Sequence, residues 1–162
     1  MLRRISILFI SAIVTVSSAF SQQPRAFGPA DKSDVEKVVR SYFQAFTEKN
    51  YDQIRDLFQA PFVSFGGQGS VLSSSLEDAV KNYQKIRESL NATDYAASKA
   101  VEMRITALNN DSALVNIHWQ RFKKDGSLLN EGSEFQIVSK ASGKWKICGS
   151  MGQNLPDFGK QY

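Results

Sequence analysis

The chain has 162 residues, with 20 Lys and Arg against 16 Asp and Glu, a single His and a single Cys. That length suffices for one domain with its own core, and the lone Cys148 excludes an internal disulfide framework. No basic stripe with interleaved aromatics is present, which argues against nucleic acid as a partner.

The chain opens on Met1-Leu2-Arg3-Arg4, an apolar run from Ile5 to Val16 and small residues at Ser17, Ser18 and Ala19. This is the layout of a secretory signal peptide over residues 1–21, with cleavage after Ala19 or, preferred, after Ser21. The run is too short to span a bilayer comfortably, and no Cys follows it as a lipoprotein anchor would require. The mature protein is therefore expected to be exported, periplasmic or secreted, with no membrane attachment once the leader is cut. Without Arg3 and Arg4 the basic count falls to 18, close to the 16 acids, so the mature surface is nearly balanced.

Residues 22–32, with Pro24, Gly28 and Pro29, read as a linker. A first helix is predicted from a Ser33/Glu36 capping box. Val35, Val38, Val39, Tyr42, Phe43 and Phe46 form its apolar stripe, and Asn50 is its left-handed stop. A short second helix spans Asp52 to Phe58 and ends at Pro61, and Phe62 to Phe65 reads as a short strand. Gly66, Gly67 and Gly69 lack a phosphate-loop ending and read as a bulge or turn. A third helix opens at a Ser74/Glu77 capping box, with Leu76, Ala79, Val80, Tyr83, Ile86 and Leu90 inward.

From Val101 to Gly149 apolar and polar residues alternate with a period of two, the mark of strands with one buried face. Val101, Met103, Ile105, Ala113, Val115, Ile117, Trp119, Phe135, Ile137, Trp145 and Ile147 all fall on odd positions. Three-residue loops at Asn109-Asn110-Asp111, Lys124-Asp125-Gly126 and Ala141-Ser142-Gly143 would place Val101 opposite Trp119, Val115 opposite Phe135 and Ile137 opposite Ile147. The expectation is a four-strand antiparallel meander with the odd face inward. The domain then spans 33–149, with 150–162 a loosely held tail. The class is α+β, with the helices on one face of the sheet.

Val38-Val39-Arg40-Ser41-Tyr42, Asn50-Tyr51-Asp52, Asp56-Leu57-Phe58 and the closing Gly143-Lys144-Trp145-Lys146-Ile147 resemble the nuclear-transport-factor-2-like superfamily, in its SnoaL-like branch. The resemblance covers about residues 33 to 149. It implies a cone-shaped α+β barrel, three N-terminal helices on a curved, mainly antiparallel sheet, with a pocket at the open end. Relatives range from ketosteroid isomerases and cyclases to proteins without chemistry, so the fold alone does not assign function. The isomerases' helix-one Tyr corresponds to Tyr42, but the region of their general base is Phe65-Gly66 and that of their second acid is Ser133. A Tyr without a base cannot move a proton off carbon at a useful rate, so that activity is not expected.

Inward parity makes Glu131 the candidate acid or base, opposite Trp119 and near Arg121 and Ser133; a carboxylate beside an indole in a half-dry cavity has a raised pKa. The alternative is a solvated rim carboxylate paired with Arg121. The candidate pocket set is Tyr42, Met103, Trp119, Arg121, Glu131 and Ser133, with no residue assigned as catalytic and no metal or cofactor expected. His118 falls outward among Glu102, Arg104, Asn116, Gln120, Glu134 and Gln136, a polar face suited to a homodimer. The expected function is binding of a small apolar ligand in the cone or service as a dimeric interaction module. The alternative is a SnoaL-like enzyme (cyclase, isomerase, dehydratase or hydrolase) using a pocket carboxylate.

Overall fold

The computed structural model describes residues 26–67, 69–141 and 143–159, so the expected signal peptide lies outside the described residues. Helix α1 runs from Pro29 to Glu48, one turn earlier than the Ser33 capping box suggests. Pro29 suits the first helical position, and the Asp31 carboxylate accepts the Gly28 amide at 3.1 Å. Val35, Val39, Tyr42, Phe43 and Phe46 are buried, as their spacing predicts. Lys49, not Asn50, takes the left-handed stop (φ 58°). Asn50 instead caps helix α2 (Tyr51–Leu57) by accepting the Gln53 amide at 3.1 Å.

Strand β1 (Phe58–Gly66) is longer than the predicted strand, and it forms a hairpin with β2 (Gly69–Ser73), a strand that the glycine turn pattern alone does not reveal. Helix α3 (Leu76–Ser89) is capped by Ser75, whose Oγ accepts the Asp78 amide. Its buried Arg87 donates to the Phe46 carbonyl at 3.1 Å and stacks on Tyr95 at 4.4 Å, which satisfies a carbonyl at the end of α1.

Four long strands follow: β3 (Tyr95–Asn109), β4 (Ser112–Lys123), β5 (Leu128–Ala141) and β6 (Lys144–Gln153). They form the predicted meander. The sheet order is β2-β1-β6-β5-β4-β3, antiparallel except for the parallel β1–β6 pair. The three helices pack on one face, giving the expected α+β cone, although the sheet does not close on itself.

The register departs from strict alternation at bulges, each of which moves later residues to the opposite face. In β4 the odd parity holds: Ala113, Val115 and Ile117 are fully buried. In β5 it does not. The Asp125-Gly126 turn closes as predicted, with the Gly126 amide donating to the Lys123 carbonyl. Beyond it, Phe122 pairs with Leu128 but Arg121 pairs with Asn130, which squeezes Leu129 out of the ladder. Val115 therefore faces Gln136, not Phe135. Val138 and Gln136 are buried while Ile137 is 38% exposed, the reverse of the expected parity. Val101 is displaced the same way, so that Ala100 sits opposite Trp119. The last hairpin pairs Ala141 with Lys144, a shorter loop than predicted, and Val138 rather than Ile137 meets Ile147.

The C-terminal segment is less loose than expected. β6 continues to Gln153, and a 3-10 turn at Leu155–Asp157 brings Phe158 onto the outer sheet face, 5.8 Å from His118 and 5.2 Å from the Arg104 guanidinium.

Candidate functional site

The open end of the cone holds a pocket of about 420 Å³ between α1, α3 and the sheet. Tyr42, Phe43 and Phe46 come from α1 because they share its inner stripe; Asn82, Tyr83 and Ile86 come from α3. Trp119 and Arg121 extend the inward row of β4 past Ile117, and Ser64, Ser98 and Ser150 add hydroxyls from three further strands. Phe65, Val71 and Ile86, each at least 44% exposed, form an apolar mouth. Below them Tyr42, Phe58, Phe62 and Tyr83 pack as an aromatic floor, with Phe58 stacked on Phe62 at 4.6 Å and Tyr42 edge-on to Tyr83 at 5.7 Å.

The acid of this pocket is Glu134. The Leu129 bulge turns Glu134 inward, and Gly152 directly opposite it leaves room for the carboxyl. Burial pushes its pKa from the usual 4.5 to about 7, against a hydrogen bond from Gln136 and the Arg121 charge, which both lower it. The Gln136 side-chain amide donates to Glu134 Oε1 at 2.7 Å. Arg121 lies over the Trp119 ring at 4.6 Å and has no ion pair or hydrogen bond among the described residues. Trp119 is seated against Gly132, its pairing partner, where a Cβ would come within 2.5 Å of the indole. Desolvation raises the pKa values of Tyr42 and Tyr83, so both hydroxyls remain protonated donors. Tyr83 is hydrogen-bonded to Ser150 at 2.8 Å, whereas the Tyr42 hydroxyl has no protein partner among the described residues.

Of the sequence-predicted set, Tyr42, Trp119 and Arg121 meet in the pocket. Met103 is on the inner face opposite Ile117, packed against the core beyond the pocket lining. Glu131 and Ser133 are on the outer face, for the same reason that Glu134 and Gln136 are not. Glu131 accepts from Gln120 at 2.9 Å and is 3.0 Å from His118 Nε2. The Gln120 hydrogen bond, then the His118 one, lowers its pKa, the opposite of the expected shift. Ser133 is buried and donates to the Gln153 carbonyl. His118 faces outward as predicted. Among the described residues no three His, Cys, Asp or Glu side chains converge as a metal site would.

No curated protein sequence matches the chain. Its fold is similar to that of a protein of unknown function with a cystatin-like fold from Nostoc punctiforme (12% identity, 83% of this chain and 98% of that one, TM-score 0.67). It is also similar to an NTF-2-like protein of unknown function from Shewanella oneidensis (17%, 74% and 96%, TM-score 0.58). A third similar structure is a provisionally named ketosteroid isomerase from Shewanella frigidimarina (19%, 79% and 100%, TM-score 0.59). At these identities the likeness concerns the fold alone. In sequence, residues 31–155 match the family described as NTF2-like protein (DUF6841), and the chain belongs to that family.

Proposed function

We propose that this protein binds a small, largely apolar ligand in its cone. The observation that carries the reading is the pocket of about 420 Å³, lined by the rings of Tyr42, Phe43, Phe46, Tyr83 and Trp119, with Arg121 and Glu134 as its charged groups among the described residues; apolar walls with convergent polar groups are the usual make-up of a small-molecule site. The neutral fluorescent probe N-phenyl-1-naphthylamine tests it. The probe should bind the wild-type chain, and Ser64→Trp, which places an indole into the pocket from β1, should abolish binding. An equal signal from both proteins, or none from the wild type, overturns the reading.

A second reading, acid–base catalysis, is favoured by one observation: Glu134 has its pKa raised to about 7 inside the pocket, near the optimum for a group that exchanges protons at neutral pH. Tyr42 would hydrogen-bond the oxygen of a carbonyl substrate while Glu134 removes and returns a proton at the adjacent carbon. Deuterium exchange into a cyclic ketone held in the pocket should be catalysed by the wild type and abolished in Glu134→Gln; uncatalysed exchange in both discards this reading.

Export and self-association complete the proposal. The leader layout of residues 1–21 supports export, and N-terminal sequencing of the mature chain, starting at Gln22, tests it. Ile137 and Met151 are 38% and 43% exposed on the outer face, which supports a homodimer more apolar than the sequence suggests. Sedimentation at a single monomer mass at high concentration would exclude it.

A further inference from the structure

We infer that the ligand carries a carboxylate held by Arg121, and that its capture takes up a proton at Glu134. The inference rests on the pocket-binding reading and names the chemical class of its occupant.

Arg121 is the only cationic side chain lining the pocket among the described residues. Its guanidinium carbon sits over Trp119, 4.6 Å from the ring centre, which holds the group against the pocket wall. Among the described residues no oxygen accepts from it, and Glu134, the nearby acid, feels its charge without forming an ion pair with it. A guanidinium offers five donors in a planar fork that matches a carboxylate in two parallel hydrogen bonds. Leaving that fork unpaired in a half-dry pocket is unfavourable, and the group missing from the protein is an anionic, two-oxygen acceptor. The aromatic floor and the mouth of Phe65, Val71 and Ile86 suit an apolar body attached to such a head group.

Glu134 then decides the pH at which the acid is accepted. It faces Arg121 from β4, Tyr42 from α1 and Tyr83 from α3, and it holds Gln136 on its own strand. An incoming carboxylate competes with ionised Glu134 for the field of Arg121 and repels it. With Glu134 protonated, the two groups coexist, and the protonated carboxyl becomes a hydrogen-bond donor. The free carboxyl titrates at about 7. Below that pH it already holds its proton and affinity is level. Above it each complex must take up a proton, so affinity falls with rising pH, by up to about tenfold per pH unit.

A matched pair of probes tests this on the full mature chain: 2-naphthoate and its neutral isostere 2-naphthamide, each displacing N-phenyl-1-naphthylamine. The acid should bind about tenfold tighter than the amide near pH 6, and that advantage should shrink above pH 7. In calorimetry with buffers of differing ionisation enthalpy, the acid should take up about three-quarters of a proton per complex near pH 7.5 and the amide none. Arg121→Gln should bring the acid down to the amide's affinity, and Glu134→Gln should remove the pH dependence while keeping the preference for the acid. Equal binding of acid and amide to the wild type overturns the carboxylate assignment and leaves the pocket-binding reading standing. A preference for the acid without proton uptake overturns the role of Glu134. Failure of the reporter itself to bind overturns both, and the wild-type comparison needs no variant to fold.

Discussion

Replacing Glu134 by Gln should make the protein more stable, and only above a defined pH. In the folded chain burial holds the Glu134 proton up to about pH 7, whereas the group's ordinary value is 4.5. Between those two values the folded state keeps a proton that the unfolded chain has released. Stability therefore declines as pH rises through this window and levels off above it, with the wild type carrying an ionised carboxylate in a poorly solvated pocket. At about 1.4 kcal/mol per pH unit the window corresponds to about 3 kcal/mol. The pocket mouth admits some water, so a net effect of about 1–3 kcal/mol is expected. Gln preserves the shape and still offers an oxygen to the Gln136 amide that donates to Glu134 at 2.7 Å. Thermal melts of both proteins should coincide near pH 4.5 and separate towards pH 8, with Glu134→Gln melting about 3–10 °C higher at the alkaline end. Parallel profiles with a constant gap would refute the reasoning. They would show an ordinary carboxylate and remove the basis for both acid–base chemistry and proton-linked binding.

Gly132→Ala should cost about 1–3 kcal/mol, because the new methyl group would sit 2.5 Å from the Trp119 ring and push the indole out of its seat; an unchanged near-ultraviolet spectrum would contradict this. Asp31→Asn should destabilise by about 1–3 kcal/mol in urea denaturation, since the carboxylate is nearly fully buried, accepts the Gly28 amide and meets Lys140 Nζ at 3.0 Å. Truncation after Gln153 should lose about 1–2 kcal/mol, because it removes Phe158 from His118 and Arg104 and deletes the Gly159 carbonyl that accepts from Arg104 at 2.9 Å. Hydrogen exchange should then quicken around His118, and unaltered protection there would show that the tail carries no load.

Helical spacing is read directly from sequence because it repeats without interruption: the α1 stripe needs only the 3.6-residue period, and each of its predicted members packs into the core or against it. Strand parity behaves differently. A period of two has no memory across a bulge, and one residue squeezed out of a ladder reverses every side chain beyond it. β5 invites the wrong choice, since Phe135 and Ile137 are apolar, Glu134 and Gln136 polar, and the turn before them closes in the predicted register. A buried Gln136 and a pocket Glu134 go against the hydrophobic pattern, and functional positions are where such local rules tend to be broken.

One signal in the sequence does point to the true register. An inward Trp119 needs a neighbour without a side chain, and pairing it with Gly132 rather than Glu131 supplies one. That single choice sends Glu131 outward to His118 and brings Glu134 inward to face Arg121 and Tyr42. The same slip puts Phe135 and Ile137 on the outer face and takes Glu134 and Gln136 off it. Pocket chemistry and outer-surface polarity are therefore not independent in this fold. Any change that removes the Leu129 bulge should convert both at once, burying Glu131 beside Trp119 and emptying the site of the acid that titrates near neutrality.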